Sequence, residues 1–172
     1  MSRPLDLPPI TPEFKSLLPF LQRADEVKHQ EPIIAYWCTY YAAQQGMAIQ
    51  EKDVASRQVL FALLDTLERM KKEIGPTDAV DDEGASSAYF ENFALRVFAL
   101  ADNEDRQGNA TRATAKKFVA AANFLEVLHT FPKVQLSENK IRYSKWKAAD
   151  IAKAFREGRK PTPGPAASET SE

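Results

Sequence analysis

The sequence has few of the residues that make disulfides, sheets or membrane spans. Its 172 residues include one cysteine and six glycines. A single cysteine excludes an internal disulfide and fits a reducing compartment. No uninterrupted apolar run approaches the roughly 20 residues that cross a bilayer. The opening MSRPLDLPP also lacks the apolar core of a secretory signal. We therefore expect a cytoplasmic protein.

Net charge and catalytic side chains are equally scarce. The formal net charge is -1, so the chain as a whole has no strong attraction to nucleic acid or anionic lipid. The two histidines are His29 and His129, and nothing matches a zinc pattern, a nucleophile elbow or a phosphate loop. The acidic stretch LADNEDRQG fails the calcium-loop template, because Arg106 and Gln107 stand where a ligand and the glycine belong. We expect no enzyme, no cofactor and no metal.

What the chain does have is apolar periodicity of the helical kind. The glycines fall mostly between such patterns, and no stretch alternates β-branched residues, so the predicted fold class is all-α. Pro19 lies inside the first pattern and predicts a kink or a delayed start. The predicted helices begin at Thr11-Pro12, then span about 32–45, 53–74, 85–104 and 111–131, and the last is opened by Ser137-Glu138 and ended by Gly158.

The stretch PIIAYWCTYYAAQQG is the most apolar part of the chain and carries four aromatic rings. On a helix, its large side chains share one face, and its small ones, such as Ala35, Cys38 and Ala42, share the opposite face. A helix that is apolar on both faces is a central helix. The membrane interpretation fails on length, and the cofactor interpretation lacks ligands. The remaining alternative to a core is partial exposure of a tyrosine at a groove.

The helices fall into two sets of three. We expect two small three-helix bundles packed together, at residues 1–75 and 85–158, because short connections favour antiparallel neighbours. The acidic residues 76–84 connect them, with a short extra helix as one option. Residues 159–172 are rich in proline and polar residues. This composition predicts a disordered linker outside either core.

Positive charge concentrates near the end of the chain. Between Glu138 and Lys160 there are eight basic residues against three acidic ones. A solvated helix surface is the simplest explanation, but such a surface also attracts an acidic peptide or a phosphate backbone. Tyr143 and Trp146 lie opposite the apolar stripe of this helix. They could anchor a partner or pack against the other bundle, and the pattern leaves both open.

Four blocks carry a family resemblance that covers about Pro8 to Gly158. FKSLLPFLQRADE, DEVKHQEPIIAYWCTYYAAQQGM, FENFALRVFALADNEDRQG and YSKWKAADI resemble the Vta-type cofactor of the AAA ATPase that dismantles ESCRT-III, known in mammals as lyst-interacting protein. The resemblance implies two tandem MIT-like three-helix bundles without enzymatic activity. It implies that they bind the C-terminal tail helices of late-acting, regulatory ESCRT-III subunits in multivesicular-body sorting.

The resemblance also implies a separate C-terminal domain that dimerises and binds the ATPase. We expect that domain to be absent from this sequence. We therefore expect this chain to be monomeric and the longer protein to be dimeric. The protein would be cytoplasmic and recruited peripherally to endosomal membranes, with only indirect membrane contact.

A groove between adjacent helices of such a bundle can hold an amphipathic tail helix, with basic residues at its rim. For the second bundle we predict Tyr143, Trp146 and Lys147, with Lys140 and Lys153 nearby; the tryptophan and the following lysine match the family. For the first bundle the predicted floor and rim are Leu60, Leu64, Leu67 and Met70 with Arg57 and Lys71.

Two alternatives remain open beside these sites. The leucines of the first bundle could belong wholly to its core. As a function of another class, the basic last helix could make the chain a nucleic-acid or phosphoinositide binding module instead of an adaptor.

Overall fold

The structure, a computed structural model, describes residues 3–135 and 138–164. All regular secondary structure in those ranges is helical, so the all-α prediction is confirmed. Short 3₁₀ turns at Pro4–Asp6, Pro12–Leu17 and Leu128–Thr130 supplement the α-helices. The α-helices are α1 (Leu18–Val27), α2 (Pro32–Ala48), α3 (Val54–Ile74), α4 (Asp78–Asp81), α5 (Glu83–Arg106), α6 (Arg112–Val127) and α7 (Glu138–Arg156).

Contacts divide the described residues into two compact units. The first unit contains the residues up to Phe90 together with His129–Pro132, and the second contains Glu91–Leu128 and the residues from Lys133 onward. The division therefore falls within α5. The short helix α4 lies in the acidic connector at the place where an extra helix was an option. The predicted domain boundaries after residues 75 and 84 remain a prediction.

The first unit begins with the delayed helix start that Pro19 predicted. Pro12–Leu17 form a 3₁₀ turn, and α1 starts at Leu18 with Pro19 in its first turn. A proline there is tolerated, because the N–H groups of the first turn have no partner inside the helix. Phe14, Leu17 and Leu21 are fully buried. The delayed start therefore keeps the apolar stripe of this segment in the core.

Helix α2 is the central helix of the first unit, as the aromatic stretch predicted. Ile34, Ala35 and Cys38 are fully buried, and the Trp37 indole N–H donates to the Ala79 carbonyl at 3.0 Å. The predicted end of this helix at about residue 45, before Gly46, is wrong, because α2 includes Gly46 and continues to Ala48. A Cβ at Gly46 would lie 3.3 Å from Leu17 Cδ1, so close packing explains the glycine.

The second unit contains the latter part of α5 with α6 and α7. The Thr111 hydroxyl accepts from the Thr114 N–H and caps α6. The α-helix ends at Val127, short of the predicted 131, and continues as a 3₁₀ turn. Ser137, predicted to open the last helix, lies outside the described residues. The core of this unit is a cluster of Ala101, Ala115, Phe118, Tyr143, Ala148 and Ile151.

The predicted linker is corrected in its first part. Pro161 is buried, and the Gly164 N–H donates to Asp105 Oδ2 at 3.1 Å, so Pro161–Gly164 pack on the second unit. A proline-rich composition did not predict this, because the contacts come from buried polar groups on α5 and α7. The rest of the predicted linker, residues 165–172, lies outside the described part of the chain.

Candidate functional site: a groove between α6 and α7

A groove runs between α6 and α7 on the second unit. Its volume is about 600 Å³, which falls in the range of ordinary ligand sites. Alanines from both helices form the floor, and Val119, 44% exposed, lies beside them. The lining alanines are Ala115 and Ala122 on α6 and Ala148, Ala149 and Ala152 on α7. The small alanine side chains of this floor leave space for the larger apolar side chains of a partner.

Positively charged side chains line the groove beside the alanines. Arg112 and Lys116 come from α6, and Lys145 and Arg156 come from α7. Lys145 also forms an ion pair with Glu126, and the Arg112 guanidinium lies 5.0 Å from the centre of the Phe155 ring. Cation–π contact and ion pairing hold these two side chains near the groove. An apolar floor with a basic rim is complementary to an amphipathic helix that carries acidic residues.

Helical spacing explains why these residues share one groove. Lys145, Ala149, Ala152 and Arg156 follow one another at intervals of three or four residues along α7, and Ala148 lies three residues after Lys145 and four before Ala152. Residues at that spacing lie on one face of a helix. The α6 residues that line the groove also lie on one face of their helix. The groove therefore lies between one face of α6 and one face of α7.

The site residues predicted on α7 lie on other faces of that helix. Tyr143 is buried, with its ring 6.1 Å from Phe118 and 6.2 Å from Phe98. Trp146 is 48% exposed, as expected of a partner anchor. Lys153 is exposed, and Lys140 is half-buried with its Nζ 5.9 Å from the centre of the Phe98 ring. None of these four residues lines the groove between α6 and α7.

The placement of Lys147 at a partner-binding surface is corrected by the structure. The side chain is 1% exposed, and its Nζ lies 3.0 Å from Oδ2 of Asp105, whose side chain is 0% exposed. A lysine reaches such a buried position only when its charge is paired. The sequence showed a lysine among lysines. It did not show that this one faces a buried carboxylate on α5.

The residues predicted on α3 of the first unit divide between core and surface. Leu60 and Leu67 are buried, whereas Leu64 and Met70 are half-buried. Met70 lines a cavity of about 240 Å³ together with Pro32, Ala35 and others. The rim residues Arg57 and Lys71 are exposed, and Arg57 donates to the Lys52 carbonyl at 2.8 Å. The structure therefore does not bring the predicted floor together as one open groove.

Sequence reasoning missed the groove between α6 and α7. A signal was present, because basic residues flank alanines at helical spacing on both helices. Alanine, however, is also the ordinary filler of a helix core, so the pattern did not separate a groove from a buried seam. An exposed phenylalanine on α3, Phe61, was missed as well, and it is 62% exposed.

Cys38 and the potential metal ligands are the groups that bear on catalytic and metal chemistry. Burial raises the pKa of the Cys38 thiol far above its usual range, so this cysteine is a poor nucleophile. No group of three or more potential metal ligands occurs in ranges 3–135 and 138–164. No helix there is both long and apolar enough to cross a membrane.

Comparison with known proteins places the chain in a family. Residues 16–157 match the family described as Vta1 like, which is most of the sequence. The chain belongs to the Vta1-like family. The resemblance seen in the four sequence blocks is thereby confirmed.

Curated relatives agree with this membership in the Vta1-like family. The Arabidopsis thaliana protein named homolog of mammalian lyst-interacting protein 5 is 46% identical over 153 residues, covering 87% of this chain and 35% of its own length. The Bos taurus vacuolar protein sorting-associated protein VTA1 homolog is 39% identical over 160 residues, covering 92% of this chain and 52% of its own length. The chain thus spans about a third to a half of these relatives.

A solved structure shares the fold of this Vta1-like chain. One chain of the structure titled "NMR structure of the Vta1-Vps60 complex" aligns with a TM-score of 0.73, covering 83% of this chain and 98% of the other. At 18% sequence identity the match supports the helical architecture alone.

Proposed function

We propose that this chain is a non-enzymatic adaptor of endosomal multivesicular-body sorting that binds the C-terminal tail helices of ESCRT-III subunits. The groove between α6 and α7 is the proposed binding site. The observation that carries the proposal is its floor of five alanines beside four basic side chains. Membership in the Vta1-like family supports the sorting role, because relatives are named for vacuolar protein sorting.

The proposed binding mode follows from the shape and charge of the groove. A tail helix would place its leucines over the alanine floor and its acidic residues near Arg112, Lys116 and Arg156. Apolar contact would supply most of the affinity, and the charges would favour acidic partners and speed association. The link to the AAA ATPase, dimerisation and endosomal recruitment are proposed for the longer relatives as whole proteins.

The test is calorimetric titration of the chain with synthetic tail helices of the regulatory ESCRT-III subunits. The variant Ala149→Glu places a bulky acid among the basic groove residues at an exposed helical position. The new carboxylate would face the acidic residues of the tail helix, and like charges that meet across an interface cost several kcal/mol. We therefore expect an affinity loss of at least about tenfold. The matched control is Ala99→Glu, an exposed alanine on α5 outside the groove, which should bind as the unmodified chain does.

The same titration separates the groove from the surface predicted around Trp146. If Trp146→Ala weakens binding and Ala149→Glu does not, the site lies on the other side of α7. If no tail helix binds the folded chain, the adaptor proposal is wrong for this part of the protein.

The nucleic-acid or phosphoinositide alternative gains no support from the second unit. Its basic stretch contains Lys147, which is buried, and Lys145 and Arg159, which are ion-paired. Fewer free charges therefore remain for a phosphate backbone or headgroup than the sequence count implied.

A further inference from the structure

The short segment Pro161–Gly164 is held on the second unit by backbone contacts. The Lys147 ammonium donates to the Thr162 carbonyl at 2.8 Å and to the Gly164 carbonyl at 3.0 Å. The Tyr143 hydroxyl donates to the same Gly164 carbonyl at 3.3 Å, and the Gly164 N–H donates to Asp105 Oδ2. The segment therefore bridges α5, which carries Asp105, and α7, which carries the other two.

The groups that hold the segment are buried and preorganised. Asp105 and Lys147 pair with each other while both contact the segment. Charge-assisted hydrogen bonds of this kind are stronger than neutral ones. This site lies on the side of α7 that faces α5, and none of its residues lines the proposed tail-helix groove.

The hydrogen bonds of this site go to backbone atoms of the segment and not to its side chains. The atoms that are bound are two carbonyl oxygens and one N–H. The Thr162 side chain is exposed and makes none of these contacts, whereas Pro161 is buried. Backbone carbonyls and N–H groups are present in every peptide. Another segment with the same backbone course could therefore make the same bonds.

The chain's own segment does not satisfy the site completely. Oδ1 of Asp105 is buried and has no hydrogen-bond partner. A buried acceptor that is left unpaired costs free energy, so an occupant with one more donor at this atom would bind better. Gly164 has φ +84°, a backbone region that side chains other than glycine adopt rarely. The fit of the present occupant therefore depends on one glycine.

We propose that Pro161–Gly164 is an exchangeable, built-in ligand that closes a backbone-reading site formed by Asp105, Tyr143 and Lys147. The segment acts as a strap. It leaves when a segment of a partner protein that has the same backbone course, with a glycine at the place of Gly164 and a further donor for Asp105, takes its place. This inference goes beyond tail-helix binding and does not depend on it.

The test uses the full chain and a synthetic peptide of residues 159–164, RKPTPG, followed by NMR. The Gly164 amide of the unmodified chain should exchange with solvent at least about tenfold more slowly than an unstructured amide. Gly164→Val should lower the occupancy of the strap about tenfold, because valine disfavours a positive φ. The variant position lies outside every helix, so the bundle should stay folded.

The added peptide should then compete with the strap. It should shift the Tyr143 and Lys147 signals of Gly164→Val with an affinity at least about tenfold higher than for the unmodified chain, where the tethered strap competes at high effective concentration. The control Thr162→Ala keeps both carbonyls and should match the unmodified chain. The proposal is overturned if the Gly164 amide of the unmodified chain is unprotected, or if the peptide binds both chains equally or neither.

Discussion

Replacing Lys147 by methionine should destabilise the second unit more than any surface change on α7. The ammonium has three acceptors within 3.0 Å, namely Asp105 Oδ2 and the carbonyls of Thr162 and Gly164. The two carbonyls belong to a short segment outside the helices and can turn to water. Asp105 cannot, because its side chain is fully buried. Removing one partner of a buried ion pair costs about 3–5 kcal/mol, and we expect Lys147→Met to fall in that range.

Native-state hydrogen exchange is the suitable assay, because it reports each unit by its own amides. The slowest-exchanging amides of α6 and α7 give the free energy of unfolding of the second unit. Lys153→Met, an exposed lysine on the same helix, is the matched control and should change that free energy by less than about 0.5 kcal/mol.

A double variant tests whether the unpaired carboxylate causes the loss. In Lys147→Met/Asp105→Leu no charge remains buried, so most of the stability should return. The reasoning is refuted if Lys147→Met lowers the free energy of unfolding by less than about 1 kcal/mol, since removing one partner of a buried ion pair costs about 3–5 kcal/mol. It is refuted equally if the double variant is as unstable as the single one, because the cost would then come from packing.

Three further predictions concern other parts of the fold. Cys38 is buried and the pKa of its thiol is raised, so iodoacetamide at pH 8 should label it in urea and not in the native chain. Mass spectrometry measures the labelling, and rapid labelling of the native chain would contradict the burial. Thr111→Ala removes the α6 cap and should lower the free energy of unfolding measured by α6 amide exchange by about 1 kcal/mol. Thr111→Asp keeps a capping side chain and should preserve most of that stability. Hydrogen bonds from Lys117 and Thr114 lower the pKa of Glu104 below its usual 4.5, so its stabilising contribution is present at neutral pH and is lost as the pH falls below that value. Glu104→Gln should therefore make the thermal midpoint of the second unit less sensitive to acid, and an unchanged acid response would argue against the interaction.

The helices were predictable because their signals are local. The three-four spacing of Leu60, Leu63 and Leu67 predicted α3, and all three are buried. Gly75 after Ile74 predicted its end, where the glycine takes φ +77°. Gly46 misled the prediction because the same residue type serves two purposes. It permits a positive φ at a helix end, and inside a helix it permits close packing.

The sites were less predictable because they depend on which faces meet. Lys147 and Lys145 are two residues apart and look alike in the sequence. One is paired with a buried aspartate and the other lines an open groove. The rotation of α7 about its axis makes this difference, and it is set by packing against α5 and α6. No pattern within α7 alone contains that information.

The sequence by itself determined the helical fold class, the central position of the aromatic helix and the family. Periodicity, caps and family motifs are properties of residues that are close together in the chain, so they can be recognised in the sequence alone. Only the tertiary structure decided which small residues line a groove, which lysine is buried and that a proline-rich segment packs on the second unit. Those outcomes depend on contacts between residues far apart in the chain, such as Asp105 with Lys147 and Gly164, and burial decides what each side chain can do.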